Sequence, residues 1–347
     1  MMVSNQTFKL SLHDTQVLKG VALLLLLCHH CWYTGEGFDD VFVFGKPVFQ
    51  QIGVFCKLCV SLFVFLSGYG LTVGAMKNNG VGKVVHFYRK RYFKLMVNYW
   101  FIWLLFVPLG VFVFDRTFPA VYGENYVYRA LVDFFGFYCV VVGNVNGYNS
   151  TWWFYSCIIL LYFFYPLIWK YRNFWFLTIP LALLIPEICG LIPLRHGGIW
   201  GYLLGYSLPF VCGVLLANSA IPTVKFSILG KIFLVGIFLL LCFYRLKVSN
   251  TVLWESLICV WGVFVYQQWS RLEYVSKIFA FLGRHSFNIF LFHTFIYVYY
   301  FHDYIFWSRN PILIFATLLM VSIIISVLIE KLKEVLKINY LQKILVG

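Results

Sequence analysis

Residues 15–34 read TQVLKGVALLLLLCHHCWYT. Val21 to Leu27 are apolar without a break, and Lys19 is the one full charge in the stretch. The length matches the roughly 20 mainly apolar residues that a helix needs to cross a bilayer. Nine further runs of this kind follow. Breaks at charge, Gly and Pro place them at 50–76, 94–114, 151–170, 174–193, 200–218, 227–245, 250–269, 280–301 and 310–330. The expected fold is an all-α integral membrane protein, a bundle of about ten transmembrane helices. The stretch 127–143 holds Arg129 and Asp133 and is short, so it reads as interfacial or re-entrant.

Composition agrees. Of 347 residues, 62% are hydrophobic and 12% charged, with a mean hydropathy of +0.83. Soluble domains carry about one-quarter charged residues. Half that fraction leaves too little charge to cover a water-facing surface. The net charge of +14 does not form a stripe or patch, so no nucleic acid is expected as a partner. Basic residues gather instead at span ends. Lys77, Lys83, Arg89, Lys90, Arg91, Lys94, Lys170, Arg172, Lys225 and Lys231 fall on one side, and Glu36, Asp39, Asp40, Asp115, Glu124 and Asp303 on the other. The positive-inside rule then puts both termini in the cytoplasm. The chain reads as one transmembrane domain over 1–347, with 331–347 as a short cytoplasmic tail. It belongs in the plasma or inner membrane as a multi-pass protein, with lipid as its main surround.

The 10 cysteines lie almost all in apolar segments, where cysteine behaves as a small hydrophobe. Cys28-His29-His30-Cys31, with Cys56 and Cys59, has a metal-like spacing. A Cys-x-x-Cys knuckle is a turn, however, and these pairs lie in helices, so no metal is expected.

Ionisable groups inside a span are costly and therefore candidate functional groups. Lys19 and His30 are eleven residues apart, three helical turns plus about 20°, so they share one face at about 16 Å along the axis. Imidazole suits proton transfer near neutral pH. Spacing alone leaves a histidine satisfied at the outer interface equally open. The basic loop 77–94 carries Arg89, Arg91 and Lys94, which suit a phosphate-bearing donor such as a coenzyme A thioester. Anionic lipid contact explains the same charges. Trp152-Trp153-Phe154-Tyr155, followed by Tyr162 and Pro166, opens a span on the outer side. Arg195 and His196 sit in a short outer loop. His293 lies near mid-span in the block Leu282–His293, where a helix-bridging hydrogen bond is the plainer role. The aromatic cluster Tyr297–Trp307 reads as an interfacial belt. Ser-His-Asp sets, glycine-rich phosphate loops and paired carboxylates are not visible in the sequence.

Together these pieces resemble the membrane acyltransferase-3 family over almost the whole chain. Lys19, Gly20 and His30 stand where the family's first helix has a basic residue, Gly and a catalytic His, with Lys in place of the usual Arg. Phe63 to Tyr69 resembles its Phe-Phe-x-x-Ser-Gly stretch. Arg89, Arg91 and Lys94 resemble its Arg-rich motif, and Trp153, Tyr162 and Pro166 its Trp-Phe…Tyr…Pro helix. Phe210 and Gly213 match Phe-x-x-Gly. Gly283, Ser286, Ile289, Leu291 and His293 match its Gly-x-x-Ser…Leu-x-His signature.

The resemblance implies transfer of an acyl group, in first place acetyl, from cytoplasmic acetyl-CoA. The acceptor would be a hydroxyl of a cell-surface or lipid-linked polysaccharide, alongside glycan biosynthesis machinery. His30 and Lys19 would be catalytic, His30 as general base or acyl relay. Arg89, Arg91 and Lys94 would bind the donor, and Trp153, Arg195 and His293 the acceptor. A flippase for lipid-linked glycans and a polysaccharide polymerase are the rival readings. The first would need more intramembrane charge and the second larger outer loops.

Overall fold

Ser11 and Asp14 open the first helix. Ser11 Oγ accepts the Asp14 N–H (3.1 Å), and Asp14 Oδ2 accepts the Ser11 N–H (2.8 Å), a reciprocal cap that satisfies two otherwise unpaired donors. From there α1 runs over Leu12–Trp32. The computed structural model describes residues 2–191, 197–248, 251–269 and 273–346. Within them α1 is followed by α2 (Val48–Cys56), α3 (Leu58–Lys77), α4 (Val84–Val113), α5 (Phe118–Tyr122), α6 (Tyr126–Phe134), α7 (Tyr138–Val142) and α8 (Trp153–Lys170). Then come α9 (Trp175–Leu191), α10 (Gly197–Leu204), α11 (Ser207–Asn218), α12 (Ile228–Arg245), α13 (Val252–Trp269) and α14 (Glu273–Thr294). The chain ends with α15 (His302–Phe306), α16 (Pro311–Val335) and α17 (Ile338–Val346). Two small antiparallel pairs complete it: β1 (Met2–Thr7) with β4 (Pro222–Lys225), and β2 (Phe42–Val43) with β3 (Lys46–Pro47).

Seven helical segments among the described residues are long and apolar enough to cross a membrane: Leu12–Trp32, Val48–Lys77, Val84–Val113, Ser150–Lys170, Ile199–Asn218, Ile228–Arg245 and Pro311–Val335. They make the chain an all-helical, polytopic membrane protein. Helices also stand at the other three expected spans, as α9, α13 and α14. They fall outside the seven for physical reasons. Helix α9 carries Glu187, α13 carries Glu255, and α14 carries Arg284, His285 and Asn288.

Among the boundaries that differ from the sequence reading, two bear on the charged residues. Helix α4 begins at Val84, ten residues before the expected 94, so Arg89, Arg91 and Lys94 are helical rather than in a loop. Helix α16 continues to Val335, into the expected tail, because Lys333 is drawn inside. Its ammonium donates to Asn98 Oδ1 (2.8 Å), Asn288 Oδ1 (2.7 Å) and Glu330 Oε1 (3.1 Å), so its three N–H groups all have acceptors and join α16 to α4 and α14.

Two helix crossings are close enough to require glycine. A Cβ on Gly20 would strike the Phe279 carbonyl, and one on Gly283 would strike the Gln16 carbonyl, which brings α1 against α14. In the same way, Gly68 faces the Phe210 carbonyl and Gly213 the Phe65 carbonyl, joining α3 to α11. In lipid, where apolar burial gives little drive, such close backbone approach supplies the packing. The motif glycines are thus helix-packing residues.

Helices α6 and α7 are too short to cross a bilayer. They break at Gly136 (φ +76°) and fold back along α4 to about its midpoint. There Tyr99 Oη donates to the Asp133 carbonyl (2.7 Å), and Trp100 Nε1 to that of Phe134 (2.9 Å). The buried Asp133 carboxylate also accepts from Tyr122 Oη (2.6 Å) and the Tyr148 N–H (2.8 Å). Asp133→Ala should strand these donors at about 1–3 kcal/mol each. A thermal-unfolding midpoint in detergent equal to wild type would contradict this.

Candidate active site

The C-terminal end of α1 carries His29 and His30, and their partners separate them. His29 Nδ1 lies 2.8 Å from the Gly53 carbonyl. A carbonyl can only accept, so this nitrogen carries the hydrogen, and His29 ties α1 to α2. His30 turns into the bundle instead. Its ring centroid lies 4.9 Å from that of His293 and 5.7 Å from that of Tyr297, and its Nδ1 is 2.9 Å from the Tyr297 hydroxyl.

His293 is fully buried near the end of α14. Its Nδ1 lies 2.9 Å from the Ile289 carbonyl and 3.0 Å from that of Phe290, so Nδ1 again carries the hydrogen. The other nitrogen, Nε2, is buried and has no hydrogen-bond partner. An unpaired buried acceptor is costly and needs a reason. In the neutral ring it can only accept a hydrogen bond. This region of α14 is braced from the turn just before α8. Asn149 Nδ2 (3.3 Å) and Trp152 Nε1 (2.9 Å) both donate to the Leu291 carbonyl, and Thr151 Oγ1 meets Thr294 Oγ1 at 3.1 Å.

After Thr294 the helix widens into a π-helical turn, Phe295–Tyr300. Such turns are rare and often sit at functional sites. Arg309 Nη2 pairs with Asp39 Oδ1 at 2.7 Å, joining the segment after α1 to the one before α16, and this guanidinium holds the Asp39 carboxyl below its usual range.

The other expected residues divide between places. Arg89 and Arg91 line a cavity of about 360 Å³ between α4 and α8, with Tyr88, Tyr92, Tyr162 and Phe163 around it. Its walls are mainly aromatic, and Arg91 Nε is buried without a hydrogen-bond partner. Lys94 is exposed on α4, near enough to Lys19 for their charges to repel. Its carbonyl accepts from Gln342 of α17 (2.9 Å). Lys19 lies in the N-terminal half of α1, eleven residues before His30 near its C-terminal end. Trp153 packs on Tyr202 (5.0 Å) and Tyr206 (5.7 Å), away from the histidine pair, while its neighbour Trp152 braces α14. Arg195 lies outside the described residues. Among the described residues, no group of three or more His, Cys, Asp or Glu side chains is arranged to hold a metal ion.

A family model described as an acyltransferase domain matches residues 13–331. The chain belongs to the acyltransferase-3 family. No curated protein and no solved structure matches it. The chain is therefore a multi-pass membrane acyltransferase, with an acyl donor and an acceptor as its substrates. Sequence reasoning missed one residue in the acyltransferase's histidine cluster. Tyr297 is four residues beyond His293, one helical turn on the same face, but it had been absorbed into the aromatic belt.

Proposed function

We propose that this acyltransferase moves an acetyl group from cytoplasmic acetyl-CoA to a hydroxyl of a cell-surface or lipid-linked polysaccharide. The observation that carries the reading is the pairing of His30 with His293, two intramembrane histidines from opposite ends of the chain at 4.9 Å. In the proposed step His30 takes the proton from the acceptor hydroxyl. The oxygen attacks the thioester carbonyl carbon, the C–O bond forms and the C–S bond breaks. The thiolate leaves with the proton that His30 returns. His293 orients the acceptor through its bare Nε2, which accepts from a second hydroxyl of the sugar, since the attacking hydroxyl gives its one hydrogen to His30. That nitrogen has no hydrogen to offer a carbonyl, which favours this role over polarising the thioester.

Lys19, Arg89, Arg91 and Lys94 stand in the N-terminal halves of α1 and α4, away from the histidines, and they hold the anionic donor. Trp153 and Arg195 serve the acceptor, the first as a flat surface for a sugar and the second as a hydrogen-bond fork. This arrangement goes with about ten spans, cytoplasmic termini, a tail from 331 and a place in the plasma or inner membrane beside glycan-assembly enzymes. A charged donor then stays on its own side while its acyl end reaches inward.

The test is mass spectrometry of the host's surface glycan in cells with and without the gene. The expected result is loss of the mass of one acetyl ester per modified sugar. An unchanged ester content with a changed amount of surface glycan would replace this reading with transport.

A further inference from the structure

We infer that Tyr297 is the positioning residue that sets the tautomer of His30, an assignment that rests on His30 being the base. A neutral imidazole has one N–H, and only the other nitrogen can take a proton. Which nitrogen that is depends on the hydrogen bond made by its partner. In His29 and His293 the Nδ1 hydrogen is fixed by backbone carbonyls, which leaves Nε2 bare. His30 Nδ1 has no such carbonyl. It faces the Tyr297 hydroxyl at 2.9 Å, and among the described residues this hydroxyl has no other hydrogen-bond partner. With Tyr297 Oη accepting the Nδ1 hydrogen, His30 Nε2 is the open base.

The π-helical turn makes this contact dependable. It begins two residues after His293 and carries Tyr297 with its ring stacked on that of His293, at 5.9 Å and 13°. Tyr300 locks the far end of the turn by donating to the Phe106 carbonyl (2.6 Å). A nucleophile–base set commonly uses a third group to orient the base. In soluble enzymes that group is often a carboxylate, but a carboxylate here would bury a charge at membrane depth. A phenol has lone pairs to accept the hydrogen and no charge to bury.

The experiment uses membrane vesicles holding the full chain, supplied with radiolabelled acetyl-CoA and the membranes' own glycan as acceptor. For Tyr297→Phe we expect kcat to fall on the order of 10- to 100-fold, a share of the 10²–10⁴-fold that a positioned base supplies. KM for acetyl-CoA and the unfolding midpoint should stay at wild-type values. Tyr297→Gln, whose amide oxygen can accept the same hydrogen, should recover part of the loss.

In parallel, ¹⁵N-histidine NMR of the protein in nanodiscs, with the His30 signals identified by their loss in His30→Gln, reads the tautomer. Wild type should show His30 with hydrogen on Nδ1, and Tyr297→Phe a mixture. An unchanged kcat in a folded Tyr297→Phe, or a wild-type His30 with its hydrogen on Nε2, overturns the assignment. If wild-type vesicles transfer no label, the function reading falls instead, and the NMR arm still decides the tautomer. Should Tyr297→Phe not fold, the wild-type spectrum decides alone.

Discussion

His30→Ala is expected to lower acyl transfer by about 10²–10⁴-fold, the range that a positioned general base contributes. The substitution removes the imidazole and leaves Tyr297 and His293 facing a gap. The adjacent histidine is the control. His29 donates to the Gly53 carbonyl, so His29→Ala should loosen the contact of α1 with α2 and leave most of the rate. Initial rates of label transfer from acetyl-CoA into membrane glycan, at matched protein level, separate the two. If His30→Ala retains the wild-type rate, or His29→Ala loses as much, the assignment of the base is wrong. The comparison is informative because the two side chains are neighbours with the same chemistry and differ only in what they face.

Gly283→Ala is expected to be the most damaging substitution away from the histidines. Its added methyl meets the Gln16 backbone carbonyl, which has no flexible end to swing aside. Relief requires α1 and α14 to move apart, and overpacking of this kind costs about 1–3 kcal/mol. The functional loss should be larger than the stability loss suggests. The same two helices carry His30 and His293, and a misplacement of about 1 Å can cost on the order of 10²-fold in rate. The prediction is a folded protein with a lowered unfolding midpoint and transfer reduced about 100-fold. Wild-type rate in Gly283→Ala would show that the crossing does not set the site. Gly236, whose Cβ would meet open space, is the matched control and should tolerate alanine.

The individual helices were largely legible in the sequence, because an apolar run of bilayer length has few other uses. Their ends were less so. The Arg89–Lys94 stretch looks like a loop when charge is taken as the mark of water, yet α4 carries it as helix. Long basic side chains can reach the interface from a helix that continues past it. His30 was visible as an ionisable group in a span and was set apart from His29 by its resemblance to the family's first helix, but what each ring contacts was not visible. Both are histidines at adjacent positions, and only the packing of α2 shows which one is occupied by a carbonyl. His293 read as a helix-bridging residue because nothing in its own segment indicates that α1 lies opposite. Tyr297 was hidden for a different reason. In a chain that is 21% aromatic, one functional tyrosine among the rings of an interfacial belt has no local signature.

The contact between His30 and Tyr297 joins residues 267 positions apart. A ribosome adds about 5–20 residues per second, so Tyr297 is made roughly 13–53 s after His30. Through that interval α1 is already made, with its glycine groove open and His30 without its Tyr297 contact. The groove closes only when α14, the next-to-last long helix, is released beside it. The proposed histidine centre therefore cannot form until α14 has been made. On the proposed assignment, a protein cut short before α14 would hold most of its helices and lack the His30–His293 pair, so premature termination is expected to give a silent membrane protein rather than a partly active one.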